Sequence, residues 1–385
     1  MRYYIIAGEA SGDLHGSKLI KSIIAKDAAA VIQCWGGDLM QAAGGNVVKH
    51  YSSLAFMGLV EVVMNLSTIL KNINFCKQDI TDFQPDVLIC IDYPGFNLRI
   101  AKWAKQKGLK VIYFIAPQVW AWKENRVPAM RACIDRLLCI LPFEKKYFKD
   151  RWNWEVDYVG HPLMQVLASQ VNLPHPLPQL NGQAVIALLP GSRKQEIEKM
   201  LPMMLSVAAH FPNEYFAVAQ APGLADDWFN ALMPNLPNVH IVKNNTYAIL
   251  NHSKAALVTS GTATLETALL NVPEVVCYKG NRITLMLAKR FVKIKFIALV
   301  NLIMDKEVVK ELIQENLTTK NLVAELNQLL TNSTLQGQIK NDYTSLKNIL
   351  TTGHDASEVA AQIIMEELKY ILFKQGQNHK SKKHY

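Results

Sequence analysis

The sequence has only six cysteines in 385 residues and contains no C-x-x-C pair, so the usual spacing of a zinc or redox site is missing. Several of the cysteines lie inside apolar runs, where a free thiol behaves as a small hydrophobic side chain. This pattern predicts reduced thiols and a cytosolic protein.

No uncharged apolar run reaches the roughly 18 residues of a spanning helix. The first apolar stretch is too short for a signal-peptide core and is predicted to be a strand.

Several catalytic motifs are also missing. There is no G-x-x-x-x-G-K-[ST], which argues against a P-loop NTPase, and no D-x-D, the usual metal-diphosphate motif of one large glycosyltransferase architecture. The absence of H-E-x-x-H and G-x-S-x-G disfavours a zincin and an α/β-hydrolase. The N-terminal "GEASGDLHG" matches a dinucleotide-binding loop only loosely, so the sequence gives little support for NAD.

Strand-like apolar runs alternate with helical patterns along the chain, which predicts βαβ units and parallel sheets. The runs lie at 3–8, 30–34, 86–92, 110–115, 136–141 and 156–160, and again at 184–190, 215–221, 239–242, 255–260 and 274–279. A helical tail is predicted from about Val308 to Phe373. Because the chain is too long for one ordinary core, we expect two Rossmann-like domains that face each other across a cleft.

The stretch 168–182 has three prolines and cannot sustain a helix or an inner strand, so we interpret it as an interdomain linker. The predicted domains are therefore 1–167 and 183–352. They are followed by a C-terminal helix at 353–375 and a basic tail at 376–385.

The net charge of +9 comes from two patches. Six basic residues and no acidic ones lie between Glu274 and Asp305, and five lysines follow Glu367. In the segment 283–304 the cations are interleaved with bulky apolar residues, which is typical of a surface that contacts anionic lipid. Because no zinc-finger, RNP-like or helix-turn-helix signature accompanies this charge, a nucleic-acid partner is not expected.

Asp92 stands at the end of a predicted strand, in "ICIDYPGFNLRIA". Ligands of open parallel sheets collect at the carboxyl ends of the strands, so this aspartate is a candidate catalytic residue. The alternative is an aspartate that only stabilises the turn before Pro94 and Gly95.

Two strand-to-helix turns in the second half are candidates for anion binding. In "LLPGSRKQE" a helix begins after Gly191 and Ser192, and Arg193 adds a bidentate cation. In "TSGTATLE" a second helix begins near Gly261, and Glu266 follows one turn later. Simple helix capping would explain either motif alone, but together in one domain they indicate a nucleoside diphosphate site.

The motifs "AGEASGDLHG", "MGLVEVV", "DYPGFNLRIA", "APQVWAW", "VGHPL", "LLPGSR", "SGTATLE" and "KELIQ" together resemble the lipid-A-disaccharide synthase family. The resemblance implies a GT-B fold with a C-terminal helix that returns to the first domain. It also implies a metal-independent, inverting transfer without a cofactor. The substrates would be UDP-2,3-diacylglucosamine and 2,3-diacylglucosamine 1-phosphate, and the products the β-1,6-linked disaccharide 1-phosphate and UDP. The first domain would bind the lipid acceptor and the second the UDP-sugar.

The same resemblance assigns roles to individual residues. It makes Asp92 the general base and places Ser192, Arg193, Gly261, Thr262, Glu266 and Asn301 in the UDP-sugar site, with Glu9, Ser11 and Gln118 on the acceptor side. Gly95 stands where some relatives carry a second aspartate, and Val300 replaces a frequent proline. A single carboxylate is therefore expected in this chain.

The segment 53–70 is predicted to be a helix with one narrow polar stripe and is otherwise apolar. Burial against the sheet and contact with lipid agree equally well with this periodicity. The acylated substrate and the basic segment favour lipid contact, by way of Phe56, Met57, Leu59, Val60 and Val63. We therefore expect a peripheral protein on the inner face of the cytoplasmic membrane. The sequence leaves a homodimer open.

Two other functions remain compatible with the same motifs. A UDP-sugar epimerase or a transferase with a soluble acceptor would keep the UDP motifs without needing a lipid-facing surface. A non-catalytic nucleotide-sugar sensor could dispense with Asp92. Release of UDP that depends on an acylated glucosamine 1-phosphate would distinguish the synthase from both.

Overall fold

The computed structural model describes residues 1–54, 66–121, 123–280 and 295–381. The chain divides into two compact units. The first contains Met1–Pro162 together with Thr351–Tyr385, and the second contains Leu163–Leu350.

The first unit is built on a seven-stranded parallel sheet with the order β3-β2-β1-β4-β5-β6-β7. Its strands are β1 (Arg2–Ala7), β2 (Val31–Gly36), β3 (Asn46–His50), β4 (Val87–Ile91), β5 (Lys110–Phe114), β6 (Arg136–Cys139) and β7 (Asp157–Tyr158). Its described helices are α1 (Ala10–Lys26), α2 (Asp38–Ala42), α3 (Leu66–Phe83), α4 (Pro94–Gln106), α5 (Val127–Cys133), α6 (Pro142–Trp152) and, at the other end of the chain, α15 (Ala356–Ser381).

The second unit is built on a six-stranded parallel sheet with the order β10-β9-β8-β11-β12-β13. Its strands are β8 (Val185–Leu189), β9 (Phe216–Gln220), β10 (Val239–Lys243), β11 (Ser253–Thr259), β12 (Glu274–Tyr278) and β13 (Lys310–Ile313). Its described helices are α7 (Leu163–Ala168), α8 (Lys194–Leu205), α9 (Asp226–Asn230), α10 (Thr246–Asn251), α11 (Thr262–Leu269), α12 (Leu299–Met304), α13 (Thr319–Thr331) and α14 (Ser333–Leu350).

Both sheets reverse their strand order at one place, as doubly wound folds do. In the first unit the reversal lies between β1 and β4, and in the second between β8 and β11. The loops that leave these strands diverge to opposite faces of the sheet, and the crevice they leave open is where such folds bind ligands. The topology therefore marks one candidate site in each unit.

The central strands are apolar because helices cover both faces of each sheet. All five residues of β4 and all five of β8 are buried, which explains their continuous runs "VLICI" and "VIALL". In the first unit Tyr4 and Leu88 face one core, while Tyr3 and Ile89 face another.

The C-terminal helix α15 completes the second of these cores, so the predicted return of this helix to the first domain is confirmed. Ala360, Ala361 and Ile364 are fully buried and pack with Tyr3 and Ile89. A salt bridge of 3.2 Å from Lys110 to Glu367 links the helix to β5.

The structure differs from the sequence interpretation in two strands. The edge strand β3 was not predicted, and β13 occupies the beginning of the segment that we interpreted as a helical tail. The two strands are short and only partly buried, so their apolar residues form no continuous run.

The boundary between the units lies before the predicted linker. Leu163 and Leu167 are buried in the core of the second unit, and Leu177 and Leu180, inside the stretch 168–182, are buried there too. These leucines are anchored by packing, which the prolines around them do not reveal.

Among the described residues, no helix is both long and apolar enough to cross a membrane. All six cysteines are buried and unpaired.

Candidate active site

Asp92 directly follows β4 at the reversal point of the first sheet. It has a φ of 42° and Tyr93 a φ of 50°, so two successive residues adopt the left-handed conformation before Pro94 begins α4. The Asp92 carbonyl accepts hydrogen bonds from Asn97 Nδ2 (2.7 Å) and Tyr113 Oη (2.6 Å). The backbone of Asp92 is thus held rigidly by buried groups, which leaves its carboxylate for other chemistry.

The electrostatics of Asp92 suit proton transfer near neutral pH. The pKa of its carboxyl group is raised to about 6, because burial and the negative charge of Glu9 outweigh the lowering effect of a hydrogen bond from the Tyr93 backbone N–H. A carboxylate with a pKa close to the working pH is deprotonated when the reaction begins and still binds a proton well.

The residues predicted for the acceptor side lie at the same edge of this sheet. Glu9 follows β1 and precedes α1, and Ser11 is exposed in the first turn of that helix. Gln118 is exposed in the loop after β5. Since β1 and β5 are the two neighbours of β4, all three residues lie in segments that follow the strands on either side of Asp92.

The loop after β5 is fixed by a buried carboxylate that we did not predict. Glu144, only 1% exposed, accepts from Trp120 Nε1 at 3.0 Å and from the backbone N–H of Leu141 at 3.0 Å. Burial raises the pKa of Glu144 to about 7. Trp120 therefore serves to anchor the loop of Gln118.

The second unit has a pocket of about 290 Å³ at its own reversal point. The loops after β8 and β11 form most of it, with the first turns of α8, α10 and α11. The predicted residues Ser192, Gly261, Thr262 and Glu266 line it, together with Gly191, Glu196, Thr246, Ser260 and others.

The loop before α8 differs from prediction in how its N–H groups are used. Burial raises the pKa of Glu196, the third residue of α8, while the charge of Arg193 and hydrogen bonds from the backbone N–H groups of Ser192 and Arg193 lower it. Gly191 has a φ of 109°, and an added Cβ would lie 2.1 Å from Glu196 Oε2. These two N–H groups thus already have an acceptor, and the Arg193 side chain is exposed.

The loop before α11 lies against a neighbouring segment. Ser260 Oγ donates to the carbonyl of Ile297 at 3.1 Å, and Gly261 is the N-cap residue of α11. Thr262 is the first residue of the helix, where backbone N–H groups have no partner inside it. This helix end is therefore suited to an anion.

Glu266 stands one turn into α11 and is largely buried. Burial raises the pKa of its carboxyl group, and a hydrogen bond of 2.8 Å from Tyr247 Oη lowers it. As an ionised carboxylate it would accept hydrogen bonds from sugar hydroxyls.

Asn301, which the resemblance places in the UDP-sugar site, uses its side chain for hydrogen bonds within the second unit. It is completely buried, and its side chain donates to Val309 O and Glu311 Oε1, each at 2.9 Å. Its Oδ1 accepts from the N–H groups of Val308 and Val309 at 2.8 and 3.0 Å. All four hydrogen-bonding positions of the amide are used within the chain, so Asn301 is a structural residue.

Glu311 completes this network beside the pocket. Its carboxylate accepts from the backbone N–H of Ile297 at 3.0 Å and of Ala298 at 3.0 Å. Ile297 in turn accepts from Ser260, so the network fixes the segment against the pocket loop.

The residues predicted to contact lipid, Phe56, Met57, Leu59, Val60 and Val63, lie outside the described residues, as does most of the basic segment. The helix that follows, α3, exposes Leu70 (51%) and Phe75 (48%).

The sequence pattern of the lipid-A-disaccharide synthetase family matches residues 3–367. The chain belongs to this family. Lipid-A-disaccharide synthase from Gluconobacter oxydans is 37% identical over 378 residues, covering 94% of this chain and 89% of that protein. The enzyme of the same name from Coxiella burnetii (strain CbuG_Q212) is 34% identical over 366 residues, covering 93% and 96%. The chain is accordingly a glycosyltransferase of lipid A biosynthesis.

Solved structures with similar folds agree with the GT-B architecture. UDP-GlcNAc 2-epimerase from Neisseria meningitidis, solved with UDP-GlcNAc, has a TM-score of 0.67 at 13% identity and covers 95% of this chain and 100% of that one. A calicheamicin glycosyltransferase has a TM-score of 0.60 at 17% identity, with 96% and 98% covered.

Proposed function

We propose that the chain makes the lipid A disaccharide with Asp92 of the first unit as general base and with the pocket of the second unit as the UDP site. The 6-hydroxyl oxygen of diacylglucosamine 1-phosphate attacks the anomeric carbon of UDP-diacylglucosamine and gives its proton to Asp92. The bond from the anomeric carbon to the diphosphate breaks, and its electrons leave with UDP. Inversion at this carbon yields the β-1,6 linkage.

The observation that carries the assignment of Asp92 is its carboxyl group at the reversal point, with a pKa of about 6. An aspartate that served only to stabilise the turn would gain from being ionised and hydrogen-bonded. Here the turn is held by the backbone carbonyl of Asp92, while burial and Glu9 work against ionisation. This cost is typical of catalytic groups.

In the second unit we assign the diphosphate to Arg193, Ser192 and the N-terminal turn of α11 at Gly261 and Thr262. The guanidinium group can bind two phosphate oxygens, and the positive end of the helix faces the charge that develops on the leaving group. Glu266 would accept from the ribose hydroxyls.

The experiment that tests this proposal compares the parent enzyme with Asp92→Asn. Release of UDP from UDP-diacylglucosamine should require the acylated glucosamine 1-phosphate in the parent, which excludes an epimerase. In Asp92→Asn, turnover should fall by about two to four orders of magnitude while the Kd for UDP stays unchanged. Near-normal turnover in this variant would refute the role of Asp92. Exposed Glu358→Gln in the same unit is the charge-matched control.

We also propose that the protein works as a peripheral protein on the cytoplasmic face of the membrane, where its acylated substrates reside. The apolar segment 53–70 and the exposed Leu70 and Phe75 on α3 support this proposal. Replacing Leu59 and Val63 by Ser should reduce co-sedimentation with anionic phosphatidylglycerol vesicles and leave the melting temperature nearly unchanged. The segment belongs to the core if the double variant is strongly destabilised and the molecules that remain folded still bind vesicles as the parent does.

A further inference from the structure

We propose that Tyr247 is a positioning residue for nucleotide recognition: its hydroxyl holds one oxygen of Glu266 and so presents the other to the ribose. This inference rests on the proposed function, which assigns Glu266 to the ribose hydroxyls. It adds a residue on a different helix and makes it a determinant of specificity for a ribonucleotide.

The hydrogen bond from Tyr247 Oη to Glu266 Oε1 is 2.8 Å long and joins two helices. Tyr247 is the second residue of α10, which follows β10, and Glu266 lies in α11, which follows β11. The neighbouring Thr246 and Glu266 both line the pocket. The tyrosine thus approaches the carboxylate from the side of the pocket formed by α10.

The hydroxyl also favours the ionised form of Glu266. Burial raises the pKa of this carboxyl group, which favours its protonated form, and the O–H of Tyr247 is the group that opposes this change. An ionised carboxylate only accepts hydrogen bonds, so it can receive two ribose O–H groups, whereas a protonated one has to donate its own. With Oε1 engaged by Tyr247, no described residue donates to Oε2, which remains for the ligand.

The position of Tyr247 is itself fixed. Its carbonyl accepts from Asn251 Nδ2 at 2.7 Å, and the same nitrogen donates to the carbonyl of Gln170 at 2.8 Å. The ring packs partly buried against the core of the second unit. A tyrosine held at both its backbone and its ring loses little freedom when its hydroxyl binds the carboxylate.

Tyr247→Phe removes the hydroxyl and keeps the ring, so it tests the hydrogen bond alone. We expect the Kd for UDP, measured by isothermal titration calorimetry, to rise about fivefold. The Kd for 2′,3′-dideoxy-UDP, which has neither ribose hydroxyl, should not change. The KM for the UDP-sugar should rise with the Kd for UDP while kcat stays constant, because ribose contacts are made equally before and during the reaction.

Tyr215→Phe is the matched control. Tyr215 precedes β9 and is therefore at the opposite end of the sheet from the pocket, so this variant should bind both nucleotides as the parent does.

Glu266→Gln separates a failure of this inference from a failure of the proposed function. If Glu266 contacts the ribose, this variant weakens UDP and leaves dideoxy-UDP unaffected. Equal effects on both nucleotides in Glu266→Gln would refute the ribose assignment itself. If Glu266→Gln discriminates between them but Tyr247→Phe binds both as the parent does, or weakens both equally, then Tyr247 does not position the carboxylate.

Discussion

Asp92 has two features that each reduce the stability of the folded protein. Its backbone adopts a left-handed conformation, which asparagine and aspartate tolerate better than other side chains, and its carboxylate is held in a largely buried place beside Glu9. Both features are usual where a fold sacrifices stability to hold a reactive group. Asparagine is accordingly the substitution that isolates the charge.

The pH dependence of catalysis should report the pKa of Asp92. The base acts in its deprotonated form, so kcat/KM should fall as the pH decreases through about 6. In Glu9→Gln the neighbouring charge is absent, the pKa of Asp92 falls, and the acidic limb should move to lower pH. Profiles of both enzymes between about pH 4.5 and 8 would check this. An acidic limb that remains in place would show that Glu9 does not act on Asp92.

The stability of Asp92→Asn should exceed that of the parent at neutral pH. The folded-state pKa of about 6 lies above the ordinary value of 3.8, so the folded state binds the proton more tightly. The contribution of Asp92 to stability therefore decreases as the pH rises through this window. We expect Asp92→Asn to gain about 1–2 kcal/mol at pH 7.5 and to lose most of this advantage near pH 4. Urea unfolding at both pH values would measure the difference, and an equal gain at both would contradict a charge effect.

At the scale of elements, a strand could be predicted from the sequence where all of its residues are buried. Strands such as β4 and β8 are buried along their whole length, so their apolar runs identify them. The edge strands β3 and β13 mix exposed and buried residues, and their pairing depends on neighbours that are remote in the chain.

The candidate sites follow the same rule. Asp92, Ser192, Arg193 and Glu266 were predicted because each stands next to a recognisable strand end or helix start. The pairs Tyr247–Glu266 and Asn301–Glu311 are 19 and 10 residues apart and meet only through the fold, so no local pattern indicates them.

The network around Asn301 gives a prediction for the element that carries it. Asn301→Ala removes four hydrogen bonds and takes the side-chain acceptor away from the buried Val309 N–H, while the Val308 N–H keeps the carbonyl of Lys306 at 3.0 Å. We expect a loss of about 2–4 kcal/mol in the free energy of unfolding. The exposed Asn327→Ala in α13 should change this free energy by less than about 0.5 kcal/mol. Equal stabilities of the two variants in urea would contradict the structural role.

At the scale of the whole molecule, the two units repeat one plan. In each unit the reversal point lies between the first strand and the strand that begins the second half of the sheet. These strands are β1 and β4 in the first unit and β8 and β11 in the second. In the proposed function, the base lies at one such point and the nucleotide pocket at the other, so that different units would recognise the two substrates.

The first unit depends on residues from the far end of the chain, which a truncation would test. Removing everything after Gly353 deletes α15 and exposes the core face that Ala360 and Ile364 cover. We expect this variant to unfold at a much lower temperature or to aggregate, whereas removing only 376–385 should leave the melting temperature nearly unchanged. Differential scanning calorimetry would compare them. A stable, active chain ending at Gly353 would contradict the importance of α15.

The discontinuity of the first unit also sets an order of events during synthesis. The second unit is one uninterrupted segment, Leu163–Leu350, and it is synthesised and emerges from the ribosome ahead of α15. The first unit begins earlier but has to wait, with Tyr3 and Ile89 on a sheet face that is only partly covered, until the final helix arrives. The half that is translated second therefore finishes folding first, and for that interval the unfinished half is the part of the nascent chain that needs protection from aggregation.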